Sequence, residues 1–455
     1  MMTMTLAEIA RAVDGTVFGD PAILVAGIST DSRKTEEGEL FVALRGERFD
    51  GHDFIPTLRG RCAAVLTEED APDFSGVKVK DTLQALGALS AYWKKKVSPL
   101  YTVGVTGSVG KTTTKDLIAS VLKGKFKTHC TSGNLNNHIG VPITLIRIEE
   151  GTEALVCEMG MSDKGEIEYL SGLVRPNVAV ITNIGTSHME NLGSREAIAE
   201  AKLEILRGME KGSVLVLDGD EPLLRTQEAK ALFEDHRVIY VGFHTENDVY
   251  PMDIYKGNDH LSFDVVAGEK EFRVTLPALG DHFIKNALFA AAVGLACGVS
   301  EDHIITGLLA YSPTGLRQRI YVKNGIRVIA DCYNASPESM QAALKVLEGA
   351  EGRKLAVLGD MLELGCLSET AHRKVGSLST RLGADLLFSY GKVSYHTMLG
   401  AVEEGMPKEN AFHTLDPKVL SEAILSQLRE GDTILFKASR KMKLEEVIAL
   451  CGLEE

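Results

Sequence analysis

Residues 101–115 read YTVGVTGSVGKTTTK. A short apolar run holding Val103 and Val105 leads into Gly107, Ser108, Val109, Gly110, Lys111, Thr112 and Thr113, and a helix-compatible stretch follows. This is the layout of a phosphate-binding loop. Glycines let backbone N–H groups turn inward on phosphate oxygens, and the helix behind them adds the positive end of its dipole. Lys111 is placed to reach outer phosphates and the Thr112 hydroxyl to hold Mg²⁺. The full pattern G-x-x-x-x-G-K-[ST] calls for glycine where this chain has Val105, so what remains is T-G-x-x-G-K-T-T. The plain alternative is a glycine-rich strand-to-helix turn with an exposed lysine. The expectation is a bound nucleoside triphosphate.

Further residues could act on that ligand. Val156-Cys157-Glu158-Met159-Gly160 puts an acid at the C-terminal end of a buried-strand candidate. Open α/β sheets bind ligands at that edge, and a carboxylate there can hold Mg²⁺ against a triphosphate. Thr182-Asn183-Ile184-Gly185-Thr186-Ser187-His188 repeats the arrangement after the next strand, which assigns His188 a metal or phosphate role. Lys202, in A-E-A-K-L-E on an amphipathic helix, reads from its surroundings as a solvated lysine. Residues 133–142, GNLNNHIGVP, are rich in amides that both donate and accept. They read equally as a grip on phosphate or an acyl group, or as a turn. Arg317 could bring a cation to transferring phosphoryl charge from another domain, and Asp331 could hold ribose hydroxyls from a strand end. Pattern alone leaves both open.

These residues need elements to position them. At roughly 100–200 residues per domain, 455 residues predict two to four domains. Residues 1–98 open with an amphipathic helix over Leu6–Val13, carry strand-like runs at 23–28, 40–44 and 63–66, and close on a helix over 82–96. Ser98-Pro99 marks a boundary, since proline restricts the residue before it. Residues 99–312 alternate strands (102–106, 154–158, 178–182, 214–217, 238–241) with helices, notably 194–209. That alternation predicts a parallel sheet covered by helices. A hairpin at 261–265 and 272–276 and a buried helix at about 282–298 complete the block, and Ser312-Pro313 marks a second hinge. Residues 313–455 start a fresh alternation with strands at 328–330, 354–358, 386–390 and 433–437. Helices at 337–347, 369–382, 417–428 and 444–451 make it a second doubly wound unit.

Composition excludes some classes. A net charge of −14 disfavours a nucleic-acid partner. The seven cysteines form no C-x-x-C pair and are odd in number, which argues against a disulfide framework or structural zinc and for a reducing compartment. No signal-peptide pattern opens the chain, and the longest uncharged apolar run, 287–299, is too short to span a bilayer. The expected location is the cytoplasm, without membrane insertion.

Taken in order, these segments resemble the Mur ligases, the ATP-dependent amide-forming enzymes of peptidoglycan precursor synthesis. Four motifs carry the resemblance further: Ser29-Thr-Asp-Ser-Arg33, Asp331-Cys-Tyr-Asn-Ala-Ser-Pro337, Leu358-Gly-Asp-Met-Leu-Glu-Leu-Gly365 and Lys437-Ala-Ser-Arg-Lys-Met442. The middle two resemble the members that join D-alanyl-D-alanine to a UDP-N-acetylmuramoyl tripeptide, and the D-N-P-R signature of the diamino-acid-adding sister is absent. The resemblance implies an α/β protein of three domains: a smaller N-terminal α/β domain over 1–98, a central ATPase-type parallel sheet over 99–312, and a C-terminal Rossmann-like domain over 313–455. It implies that Ser29, Asp31, Ser32 and Arg33 contact the UDP moiety, and that Gly107–Thr113, Asn286, Arg317 and Asp331 contact ATP. Thr112, Glu158 and His188 match Mg²⁺ positions, and Lys202 matches a lysine carbamylated in relatives, which could hold a second Mg²⁺. Tyr333, Asn334, Ser439 and Arg440 fall in the segments expected to meet the dipeptide. Lys111, His188, Lys202 and Arg317 are the expected catalytic set, in a monomer that works through an acyl phosphate. Two positions depart from the pattern: Ala438, where relatives usually have glycine, and Ser336, where many have asparagine.

The rivals are weaker. A folylpolyglutamate synthase lacks a UDP-binding first block. A GTPase switch needs a guanine-reading N-K-x-D element, and an oxidoreductase needs G-x-G-x-x-G after a strand; neither occurs. The motifs do not choose between diaminopimelate and lysine as third peptide residue.

Overall fold

Runs of β-branched and aliphatic residues build three main sheets in this chain. The computed structural model describes every residue except Met1, Glu47, Pro313, Thr314 and Leu316, so the expected hinge at Ser312-Pro313 falls partly outside the described residues. The first sheet has five short strands in the order Thr16–Phe18, Gly76–Lys78, Ala64–Thr67, Leu40–Val42, Ile28–Ser29, with a separate pair, Met4–Thr5 and Leu24–Val25, beside it. The run at 23–28 is therefore not one strand. Gly27 breaks it at φ 126°, and its two ends join different sheets.

The central sheet has nine strands. Its parallel part runs Thr128–Cys130, Ala154–Glu158, Tyr101–Thr106, Val178–Ile181, Val214–Asp218, Arg237–Val241. The expected hairpin is part of this sheet rather than an insertion. A strand that the sequence reading missed, Val249–Lys256, pairs parallel with Arg237–Val241 and antiparallel with Leu261–Ala267, which pairs with Lys270–Leu276. The sheet is thus parallel at its centre and antiparallel along one edge. Alternate residues face opposite layers. Val103, Val105, Val156 and Val180 meet the helices Lys111–Lys123 and Asp281–Ala296, while Leu155, Cys157, Ala179 and Ile181 face the other core. Asp281–Ala296 is apolar on nearly every side and correspondingly buried. The predicted helix 194–209 is α-helical only over Arg195–Leu203 and tightens to a 3₁₀ turn over Glu204–Gly208.

The last sheet runs Arg319–Lys323, Ile326–Asp331, Thr433–Lys437, Lys354–Gly359, Leu386–Tyr390, Ala411–Thr414, parallel except for its first strand. Separate cores cover its two faces, giving the doubly wound arrangement. Its edge strands and the helix Tyr395–Glu403 are half-polar and carried no clear periodicity.

Register sets up the chemistry. Glu158 lies beside Val105 and Ile181 beside Thr106, so the chain leaves three adjacent strands at one level, and 107–113, 158–160 and 182–188 crowd one edge. The first block is bolted on by the helix Thr82–Val97. Its Trp93 is fully buried and donates Nε1–H to Ile148 O at 2.9 Å, in a core continuous with the central sheet. Trp93→Ala should destabilise the protein by about 3–5 kcal/mol, read as a lowered urea midpoint; Trp93→Phe, which keeps most of the volume, should cost much less.

Candidate active site

The strand Tyr101–Thr106 hands directly to the helix Lys111–Lys123 through two glycines in left-handed or extended-positive backbone. At Gly107 a Cβ would come within 1.9 Å of Thr182 Oγ1, and Gly110 turns the chain at φ 80° against Asn286. Lys111 folds back, donating to Gly107 O at 2.6 Å and Ser108 O at 3.2 Å. Among the described residues no partner takes the N–H groups of Gly110, Lys111, Thr112 or Thr113. Four consecutive donors at a helix N-terminus form a ready anion site.

Glu158 is buried at the end of its strand. Its carboxylate accepts from Thr112 Oγ1 at 2.7 Å and from Asn136 Nδ2 at 2.8 Å, while its N–H donates to Thr131 Oγ1. Part of the amide-rich segment 133–142 therefore does reach this centre. Its last residues begin the helix Gly140–Ile146 instead of continuing a loop. A cavity of 210 Å³ opens alongside, lined by Asn137, His138, Lys164, Glu166 and Tyr169 among others. Burial pushes the neighbouring Cys157 thiol up to about 12, so it is no nucleophile.

Segment 182–188 contributes more than its histidine. Asn183 and Thr182 bind the phosphate loop's backbone, and Thr186 donates both N–H and Oγ1–H to Glu338 Oε1 at 2.9 and 2.8 Å. Glu338 belongs to the third block, and its Oε2 is closed off from solvent without a hydrogen-bond partner among the described residues. His188, at φ 63°, pairs through Nδ1 with Glu363 Oε2 at 3.1 Å; Glu363, also from the third block, sits at φ 66°. Burial, then the charge of Lys111, depresses the His188 pKa, with Glu363 opposing. Lys202 is not the solvated lysine that its helix suggested: it is 1% exposed. Burial, then Lys111, pushes its pKa well below the ordinary lysine range, and no ion-pair partner is found among the described residues. Burial likewise lowers the Lys111 pKa; Glu158 opposes that, and Arg317 adds to it. Lys202, His188 and Arg317 thus each lie within electrostatic reach of Lys111, and Lys202 also within reach of His188. No three-ligand metal cluster forms here among the described residues, because His188 is turned to Glu363.

The remaining expected residues divide between two places. Arg317 stacks on Tyr333 at 3.9 Å. Beside it, Gln318 ties the second and third blocks through Leu279 O (2.7 Å) and His282 Nε2 (3.2 Å). Asp331 is paired with Lys437 at 2.5 Å, and Lys437 also donates to Asn334 O. Ser439 Oγ accepts from Leu362 N at 3.0 Å, and Arg440 is paired with Glu445. Asn286 Oδ1 accepts from Thr114 Oγ1 at 3.2 Å at the back of the phosphate loop. Ser29, Asp31, Ser32 and Arg33 lie apart, on the first block. There Arg33 holds Asp31 through two 2.8 Å contacts, and that hydrogen-bonded guanidinium drops the Asp31 pKa to about 2. Asp50, His52 and Glu69 approach metal-ligand spacing, but His52 is spent: Nδ1 bonds Asp50 at 2.6 Å and Nε2 accepts from Glu68 N.

Asn136, Asn183, Glu338 and Glu363 went unassigned in the sequence. Asn136, Asn183 and Glu363 lie inside segments singled out there and Glu338 directly follows one, but only the tertiary contacts give them partners.

A phosphate loop on a parallel-centred sheet, with a second α/β unit bringing an arginine toward its lysine, defines a nucleotide-using α/β protein of the ligase type. Family models described as the Mur ligase family catalytic domain, the Mur ligase middle domain and the Mur ligase glutamate ligase domain match residues 24–94, 105–294 and 317–440. The chain belongs to the Mur ligase family. It is 42% identical to the UDP-N-acetylmuramoyl-tripeptide--D-alanyl-D-alanine ligase of Bacillus subtilis, over 98% of both chains. It superposes on MurF from Acinetobacter baumannii with a TM-score of 0.92 at 32% identity, covering 100% of both. On MurF ligase from Thermotoga maritima in complex with ADP it scores 0.84 at 29% identity, covering 94% and 97%.

A lysine whose folded pKa is depressed costs folding free energy at low and neutral pH, and the cost fades as pH rises toward its unfolded value of 10.5. In bicarbonate-free buffer Lys202→Met should therefore be more stable than the unaltered chain at pH 7, with the gain shrinking by pH 10, as read from urea midpoints at the two pH values.

Proposed function

We propose that this chain is an ATP-dependent ligase that joins D-alanyl-D-alanine to a UDP-N-acetylmuramoyl tripeptide through an acyl phosphate. The observation that carries this reading is the meeting of groups from two blocks at one sheet edge: Lys111, Lys202 and His188 from the centre, Arg317 and Glu363 from the third block. The similarity to the named ligases over nearly the full chain supports the choice of substrates. Residues 1–98 would hold the UDP moiety through Ser29, Asp31, Ser32 and Arg33. Residues 99–312 would hold ATP, and 313–455 the dipeptide near Tyr333, Asn334, Ser439 and Arg440. The cavity beside Glu158 gives the peptide end room to present its carboxylate.

In the first step that carboxylate attacks the γ-phosphorus, forming a C–O–P bond as ADP leaves. In the second, the neutral dipeptide amine attacks the acyl carbon, a C–N bond forms, phosphate departs with the C–O bond pair, and the amine nitrogen releases one proton to the departing phosphate or to solvent. The free N–H groups at 110–113 orient the nucleotide, and Lys111 and Arg317 offset charge as it builds on the transferring group. The third block, docked on 186 and 188, screens the acyl phosphate from water.

The Thr112 hydroxyl and Glu158 carboxylate, already in contact, are a donor set that suits Mg²⁺. Bound there, the ion would neutralise triphosphate charge. Lys202, with its ammonium disfavoured by burial, presents the amine form that takes up CO₂, and a carbamate would turn a repelled cation into a further anionic ligand. We read the enzyme as a monomer, as the family resemblance implies. No helix among the described residues is long and apolar enough to cross a membrane, and the nucleotide-linked substrates suit a cytoplasmic enzyme.

Phosphate release from Mg-ATP should require both the tripeptide and D-alanyl-D-alanine and should yield a pentapeptide by mass. Release that instead follows another amine would assign the chain to a sister ligase. Arg317→Ala should lower kcat by about 100-fold or more at saturating ATP; an unchanged kcat would remove Arg317 from the reaction.

A further inference from the structure

The reaction scheme leaves one set of contacts unused. Asn183 Oδ1 accepts hydrogen bonds from Ser108 N at 3.1 Å and Val109 N at 3.0 Å, and Ser108 N is shared with the main-chain Asn183 O at 3.2 Å. Its Nδ2 and Thr182 Oγ1 donate to Val109 O at 3.0 and 2.7 Å, and Gly185 N donates to Ser108 Oγ at 2.8 Å. The next four N–H groups, of residues 110–113, have no partner among the described residues. In a run of six loop donors, the first two are therefore taken by Asn183, Val109 by its carboxamide oxygen and Ser108 by its carboxamide and main-chain oxygens, and the rest remain available. The donors that suit a phosphate oxygen and those held by Asn183 belong to one loop, so the two acceptors exclude each other at Ser108 and Val109.

We propose that Asn183 is a positioning residue that stands in for a phosphate oxygen. Its carboxamide keeps the Ser108 and Val109 N–H groups turned into the loop and yields them to the triphosphate. This rests on the nucleotide reading of the loop. The exchange also has an output. Segment 182–190 carries Thr186 and His188, which hold Glu338 and Glu363 of the third block, and Gly365 packs on Glu190. Nucleotide that displaces Asn183 therefore acts on the segment against which the third block is docked.

The test is calorimetric binding of the β,γ-imido analogue of ATP, with Mg²⁺, to three full-length proteins. Asn183→Ala removes the side-chain acceptor, freeing Val109 N and leaving Ser108 N only the main-chain oxygen of residue 183, and should bind about three- to tenfold more tightly than the unaltered chain. Asn183→Asp puts a full negative charge on the same donors and should bind at least tenfold more weakly. In the absence of nucleotide, Asn183→Ala should also melt lower, with a larger rise on adding the analogue. A plain scaffolding role predicts the opposite order for alanine: both variants bind more weakly, and that result overturns the proposal. If Asn183→Ala does not fold, Asn183→Ser, whose shorter side chain withdraws the carboxamide, takes its place: tighter binding is expected, and unchanged or weaker binding overturns the proposal. An unaltered chain that binds no analogue sinks the nucleotide reading itself.

Discussion

Lys202, His188 and Arg317 crowd around Lys111 at a single loop, and the rest of the molecule holds them there. Burial depresses the pKa of Lys111, Lys202 and His188, each more so because of neighbouring positive charge. Such crowding favours an anion at the free site. In a chain of net charge −14, this local reversal of sign is what admits a polyphosphate. Glu158 and Glu363 are the acids set against it, one buried at a strand end and one brought in from the third block.

Strand register is what makes the crowding possible. Three adjacent parallel strands end at one level, so 107–113, 158 and 182–188 emerge side by side. Small residues permit the approach: a side chain at Gly107 would strike Thr182, and one at Gly185 would strike Ser108 and Glu338. Closeness here leaves no slack. Segment 182–190 touches the phosphate loop on one side and the third block on the other, so a change at either is felt by the same few residues.

The third block supplies its groups through backbone positions that ordinary residues avoid. Glu363 and Gln318 are both in the left-handed region, and both make the contacts that join this block to the centre. Such conformations cost about 1–3 kcal/mol each and persist where the surroundings over-determine them. Here Gln318 is fixed by Leu279 and His282, next to the arginine expected to serve ATP.

Much was legible in the linear chain. The buried strands were short, mostly apolar runs, so Ala154–Glu158, Leu386–Tyr390 and Thr433–Lys437 could be bounded to the residue. The phosphate loop and the family motifs were local strings, visible without a fold. What escaped was set by partners distant in sequence. Val249–Lys256 is mostly exposed and takes its place only by pairing between two other strands. Lys202 has the helical periodicity of a solvated residue, yet packing closes over it. Asn183 and Glu338 are unremarkable polar residues until a loop 74 residues away and another 152 away supply their partners. The sequence by itself determined most of the strands and helices and the phosphate loop, because those depend on neighbours within a few residues. Tertiary structure alone decided which polar groups are stripped of water and whom they meet, because burial and charge depend on every element packed around them.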